Sequence, residues 1–251
     1  MLPEWYTQAV WIWIAIGGIT FVSLFFIAAP YGRHHREGWG PTLPDHIGWI
    51  LMEAPASLLV LAWFLLAGDT SSATAWLLMV VWQLHYAHRA FIYPLRKRSD
   101  GRRMPWAIVT MALLFNGVNS ALIGWEVFVF RSYGPEWLSD PRFLGGMALF
   151  AAGYAINKHS DRVLRNLRAP GETGHKVPHG GLYRWVSCPN YLGEILEWIG
   201  FAIATWSLAG LAFAVWTIAN LAPRALDHHR WYRERFPDYP PERRALLPLI
   251  W

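Results

Sequence analysis

A single cysteine, Cys188, stands among 251 residues, which excludes a disulfide framework and any cysteine-rich metal cluster. Charge is scarce as well. Asp, Glu, Lys and Arg make up 16% of the chain, where a soluble domain carries about 25%. Lysine is nearly missing, with three against nineteen arginines. No Gly-x-Gly-x-x-Gly follows a strand and no P-loop occurs, so the two common phosphate cradles of soluble domains are lacking. No internal repeat supports an inverted-repeat transporter. What is present is apolar: 54% of the residues are hydrophobic and 16% aromatic, with 17 Trp. A disordered chain has the opposite balance, and Trp favours membrane–water interfaces. The net charge of +5 does not indicate nucleic acid, because the basic residues lie between long apolar blocks and form no basic domain. The chain reads as an all-α, polytopic integral membrane protein.

A bilayer core about 30 Å thick needs roughly 20 mostly apolar residues per helix. Seven such blocks lie near 8–28, 46–67, 73–93, 105–130, 143–160, 190–207 and 209–226. Glu4 stands where a signal peptide would carry positive charge, and the first apolar run is too long for one, so it is expected to stay attached and span. Lys and Arg then set the orientation. Eighteen fall in the loops 29–45, 94–104, 161–189 and the C-terminal tail, counting Arg224 at the last helix end with that tail, against two, Arg131 and Arg142, on the other side. That bias puts the N-terminus outside and the C-terminus in the cytosol. The whole of 1–251 is expected to be one membrane domain, with spans one to four in 1–130 and spans five to seven with their cytosolic loops in 131–251.

Ionisable groups inside spans are costly and mark cavities or partners. Glu53 sits in the second span. His85, Arg89 and Tyr93 fall on one helical stripe at spacing four in the third, with Tyr86 one step round. Asn116 and Asn119 lie one turn apart in the fourth. Asn157 and Asp161 end the fifth, and Asn190, Glu194 and Glu197 share one face of the sixth. For any one of these, a helix–helix hydrogen bond accounts for it as well as catalysis does. For Glu126 and Asn119, a packing or capping role accounts for the residue as well as a functional one does. Pro55 reads as a kink, and His34 and His35 as solvated loop residues. His228 and His229 are adjacent, a spacing that helical metal pairs do not use, and no metal site is expected. Taken together, however, Glu53, Tyr86, Arg89, Asn157, Asp161, Asn190, Glu194 and Glu197 are too many for structural glue. A large polar ligand at the cytosolic half accounts for them better. The cytosolic arginines, half of them serving topology only, suit phosphates in bidentate fashion, and Asn, Asp and Glu suit hydroxyls and a carboxamide.

Several segments carry a resemblance. They are His85-Tyr86-Ala87-His88-Arg89, Asn157-Lys158-His159-Ser160-Asp161, Pro178-His179-Gly180-Gly181-Leu182-Tyr183, Asn190-Tyr191-Leu192-Gly193-Glu194-Ile195-Leu196-Glu197-Trp198 and Arg224 to Tyr232, with the terminal Pro-Leu-Ile-Trp. In joint order and spacing the chain resembles the steroid 5α-reductases over nearly its whole length. The resemblance implies a seven-helix membrane oxidoreductase that uses NADPH to reduce the 4,5 double bond of a 3-oxo-4-ene steroid. It implies Glu53 and Tyr86 as the catalytic pair on the steroid's 3-oxo group, with Trp49, Met52 and Asn116 beside them lining the steroid site. It also implies dinucleotide-binding roles for Tyr31, Arg89, Tyr93, Arg102 or Arg103, Asn157, Asp161, Arg168, His175, Asn190, Glu194, Glu197, Arg224, His228 and Tyr232. Two positions depart from the pattern of animal members: Met52 stands for Gln, and His175 for Tyr. Both bear on substrate preference and affinity more than on reaction type.

The chemistry is consistent with that assignment. Hydride arriving at C5 drives charge onto the C3 oxygen, where a donor must be in place. Tyr86 offers a phenolic O–H, and Glu53, desolvated in an apolar span, is expected to be protonated and to donate too. A lipophilic steroid would enter from the bilayer, and neither nucleic acid nor an obligate protein partner is expected. The rival readings are a related membrane reductase of a polyprenol or enoyl thioester, and a membrane methyltransferase, which would have no use for Glu53 with Tyr86. Arginine-for-lysine usage points to a bacterial source and its inner membrane. In a eukaryote, the endoplasmic reticulum membrane would be expected.

Overall fold

The computed structural model describes residues 1–26, 39–96, 101, 103–169, 172 and 174–251. Tyr31, His34, His35 and Arg102 lie outside the described residues. Helices dominate: α1 (Glu4–Ser23), α2 (Asp45–Ala67), α3 (Ala73–Ala87), α4 (Tyr93–Arg96), α5 (Trp106–Ile123), α6 (Pro141–Arg165), α7 (Pro189–Thr205) and α8 (Leu208–Arg235). The all-α expectation holds apart from one small feature. Strands β1 (Thr42–Pro44) and β2 (Arg103–Pro105) pair antiparallel, immediately before α2 and α5. Four helices, namely α1, α2, α5 with its extension to Phe130, and α8, are long and apolar enough to cross a membrane.

The chain divides into two compact units. The first comprises Met1–Val10, Pro30–Leu144 and Thr205–Ala209, and the second Trp11–Ala29, Gly145–Ala204 and Gly210–Trp251.

In the first unit, α2 packs along α5, and α3 packs on α2. Ser72 caps α3 by accepting from the Ala75 N–H at 3.3 Å, and α3 runs into α4 through a π turn, His88–Ile92. A π turn holds one residue more than an α turn, so the expected stripe of His85, Arg89 and Tyr93 loses its phase there. A second π stretch, Gly124–Phe130, ends α5. Its Glu126 is fully buried and accepts from the backbone N–H groups of Leu208 (2.9 Å) and Ala209 (2.8 Å), from the Tyr6 hydroxyl (3.1 Å) and from Arg131 Nε (2.9 Å). Glu126 takes the packing-or-capping role: its carboxylate satisfies orphan donors at the start of α8.

In the second unit, glycines set the spacing of α6 against α7. A Cβ on Gly153 would collide with the backbone of Gly193 and Glu197, one on Gly193 with that of Asn157, and one on Gly200 with that of Phe150. Small residues at seven-residue spacing let the two backbones touch, the usual device where lipid gives no hydrophobic drive to association. Helix α8 has 28 residues and is therefore about 42 Å long, more than a hydrocarbon core needs. Its last turns carry His228, Tyr232 and Arg235 as a continuation of the helix, where the apolar pattern ends at 226. The C-terminal tail then folds back: Arg244 donates to the Trp185 carbonyl at 3.0 Å, and the Ser187 and Cys188 N–H groups donate to the Arg244 and Ala245 carbonyls at 2.8 and 3.2 Å.

Candidate active site

Glu53 is held by a helix whose neighbours bond directly to its backbone. Asn116 donates to the Met52 carbonyl, Ser120 to that of Pro55 at 3.4 Å, Trp82 Nε1 to that of Ala56 at 2.7 Å, and Gln83 to that of Ser57 at 2.9 Å. Pro55 lies inside α2 and removes a donor from its ladder, and these four side chains from α3 and α5 bond to the carbonyls around it. Asn116 thus acts on the backbone of Met52, and Met52 itself is buried with Leu43, Met104, Ile108 and Val109. Gln83, Ser57, Trp82 and Ser120 were not singled out from sequence. Polar residues inside apolar spans were the available signal for Gln83 and Ser57.

Glu53 is not solitary in its span. Arg89 Nε lies 3.4 Å from Glu53 Oε1. Trp49, one turn before Glu53, donates its indole N–H to the Arg89 carbonyl at 3.1 Å, takes the guanidinium over its ring at 5.4 Å, and meets the Tyr93 ring at 5.4 Å. The π turn therefore brings Arg89 and Tyr93 to Trp49 and Glu53. Tyr86, buried one turn earlier, stacks on Trp82 at 4.8 Å and meets His85 edge-on at 5.0 Å. Arg103, expected among the dinucleotide residues, donates to the Thr42 hydroxyl (2.8 Å) and carbonyl (2.6 Å) across the β1–β2 pair.

The second unit gathers the other polar positions. Asn157 is buried and donates to the Asn190 carbonyl at 3.0 Å, tying the end of α6 to the start of α7. Asp161 follows Asn157 by one turn. Glu194 is half-buried and Glu197 fully buried, the latter where α7 crosses Gly153. Arg224 follows Pro223 inside α8 and lies over Tyr191 at 6.0 Å, and Tyr191 meets His228 at 5.7 Å. His175 packs on Trp231 at 4.9 Å, Trp231 on Tyr232 at 5.1 Å, and Tyr232 stacks on Tyr239 at 5.3 Å. Arg168 donates to the Gly174 carbonyl at 3.3 Å, beside His175. Glu172 closes the same loop through the Ala169 N–H (2.9 Å) and Lys176, both of which hold its carboxyl below the usual range.

One network was not legible in sequence. The Ser187 hydroxyl sits 2.7 Å from His229 Nδ1 and 2.6 Å from the Tyr239 hydroxyl, and so links α8, the loop before α7 and the tail. Through Tyr239 it reaches the ring of Tyr232.

With the geometry in place, comparison with known proteins identifies the chain. A family model described as 3-oxo-5-alpha-steroid 4-dehydrogenase matches residues 102–251. The chain is 41% identical over 240 residues to 3-oxo-5-alpha-steroid 4-dehydrogenase 1 of Bos taurus, covering 94% of this chain and 93% of that one. It is 41% identical over 237 residues to the steroid 5-alpha-reductase DET2 of Gossypium hirsutum, covering 92% of each. Against 3-oxo-5-alpha-steroid 4-dehydrogenase 1 of Homo sapiens it is 38% identical over 240 residues, covering 94% and 92%. The chain belongs to the 3-oxo-5-alpha-steroid 4-dehydrogenase family, whose members are oxidoreductases acting on a CH–CH bond.

Proposed function

We propose that this chain reduces the 4,5 double bond of 3-oxo-4-ene steroids to 5α-3-oxosteroids at the expense of NADPH. The observation that carries the reading is likeness to steroid 5-alpha-reductases over more than nine-tenths of the chain. The donor set of the second unit fits the dinucleotide. Arg168 and Arg224 supply planar cations for phosphates, and Asn157, Asp161, Asn190 and Glu194 supply partners for ribose hydroxyls and a carboxamide. Tyr232, Tyr191 and His228 offer ring faces.

NADPH supplies the hydride that adds to C5. The chain's own part is electrostatic: as electrons move onto the C3 oxygen, a preset donor lowers the energy of that charge. Tyr86 holds its ring rigidly against Trp82 and donates a phenolic proton in a hydrogen bond. Glu53 donates only as the acid, and Arg89 orients its carboxyl. Protonation at C4 completes the reduction.

The finer topology belongs to the same proposal: seven spans, N-terminus outside and C-terminus cytosolic, supported by the distribution of eighteen basic loop residues against two. The steroid partitions from the bilayer, and arginine usage favours a bacterial inner membrane. The test is NADPH oxidation by the purified protein with and without a 3-oxo-4-ene steroid. Oxidation that depends on the steroid, yields the 5α product and prefers NADPH over NADH is expected. Oxidation that ignores the steroid would overturn the activity, and equal efficiency with NADH would overturn the bound 2′-phosphate.

A further inference from the structure

A cleft of about 590 Å³ in the second unit takes no part in the chemistry above. The loop between α6 and α7 lines it with His179, Arg184 and Trp185, and the folded-back tail with Glu242 and Arg243. Its volume is within the range of small-molecule sites. Arg243 is the unusual member. It is 3% exposed, donates to the Pro178 carbonyl at 3.0 Å and to His179 Nδ1 at 3.2 Å, and lies over the Tyr239 ring. Its Nε–H is buried and finds no acceptor among the described residues. A buried guanidinium donor left unpaired is costly, and the positive charge of Arg243, which lines the cleft, favours an anion there. Arg184, exposed on its own Trp185 ring at 5.0 Å, adds a second cation at the cleft, and Glu242 adds one exposed carboxylate. Two guanidiniums suit a phosphate. The carboxylate opposes a simple anion and suits an ammonium group carried by the same ligand.

The surroundings identify where such a ligand would come from. Trp185 is 43% exposed, and the tail that lines the cleft continues into Leu249 and Ile250, which are 78% and 79% exposed. Leu249 is held at φ 67, a left-handed conformation that an L-residue adopts only at a cost. Exposed Trp, Leu and Ile beside arginines form a membrane-interface composition. We propose that this cleft binds the headgroup of a zwitterionic phospholipid of the phosphoethanolamine type. Arg243 and Arg184 donate to the phosphate, Glu242 accepts from the ammonium, and Trp185, Leu249 and Ile250 lie toward the acyl chains.

Arg184 and Glu242 are exposed and lie outside the proposed catalytic and dinucleotide sets, so Arg184→Glu and Glu242→Gln are suitable probes. Purified protein in detergent, saturated with NADP⁺ to fill any dinucleotide phosphate site, is titrated with three ligands: dihexanoyl phosphatidylethanolamine, dihexanoyl phosphatidylglycerol and free phosphoethanolamine. The wild-type protein is expected to bind the phosphatidylethanolamine most tightly. Arg184→Glu should weaken that binding about tenfold or more, the size of one lost charge-assisted contact. Glu242→Gln should abolish the preference over phosphatidylglycerol, while steroid turnover is unchanged in both variants. Equal binding of the two lipids by wild type, or a phosphatidylethanolamine affinity that neither substitution alters, would overturn the site. Free phosphoethanolamine binding as tightly as its lipid would overturn the membrane source.

Discussion

Glu53 and Tyr86 differ in what their surroundings allow them to do. The Tyr86 ring stacks on Trp82 and meets His85 edge-on, which fixes where its hydroxyl sits. Glu53 lies 3.4 Å from the Arg89 guanidinium, so its carboxyl is either an acid that donates or an anion that holds Arg89. Substitution separates the two. Removing one donor to a developing oxyanion costs on the order of 10²–10³ in turnover, so Tyr86→Phe and Glu53→Ala should each fall by that factor while NADPH binding and melting temperature stay near wild type. Glu53→Gln keeps an N–H donor and loses the anion. Turnover retained well above that of Glu53→Ala identifies the acid as the working form, whereas a fall equal to it identifies the ion pair with Arg89. Tyr86→Phe at near wild-type rate would remove Tyr86 from the mechanism.

Helix α6 meets α7 through glycine, and that contact is what holds Asn157 to Asn190. Overpacking a close contact of this kind costs about 1–3 kcal/mol. Gly153→Ala should therefore lower the melting temperature and, by moving α7 off α6, weaken dinucleotide binding as well. Gly145→Ala, eight residues earlier on the same helix, meets nothing within 4 Å and should be neutral or slightly stabilising. Equal melting temperatures for the two variants would refute close packing as the device that sets this pair. The π turn at His88–Ile92 is the matching feature in the first unit, because it rotates Arg89 toward Trp49 and Glu53. Periodicity at 3.6 residues cannot reveal such a turn, since the extra residue leaves no mark in the hydropathy of its neighbours.

For the whole molecule, the basic loops give the sharpest expectation. After Cys188→Ser, a cysteine introduced in loop 94–104 should react with an impermeant thiol reagent only from the cytosolic side. Labelling from the outer side would invert the proposed topology. Four helices carry enough apolar length to span on their own. The remaining expected spans are α3, broken by its π turn, α6, which ends in charge, and α7, of 17 residues. Such helices need neighbours to satisfy their polar faces.

Much of this protein was legible in the residues themselves. Apolar blocks of bilayer length with scarce charge give helices able to cross a membrane, because lipid leaves the backbone no other partner than itself. The polar positions within those blocks stood out for the same reason, and the resemblance to a family proposed roles for them. What the sequence could not contain is which polar group meets which. Glu126 read as well for a structural role as for a functional one, and only the fold brought the first turn of α8 to its carboxylate. Arg89 read as one member of a stripe, and a π turn set it against Glu53. Ser187, Tyr239 and Arg243 carried no pattern, and His229 none that pointed to Ser187, since the tail that joins them returns to the loop before α7 from some fifty residues away. Local periodicity reports burial along one helix. Partners across helices are chosen by backbone approach and chain return, and those exist only in the folded chain.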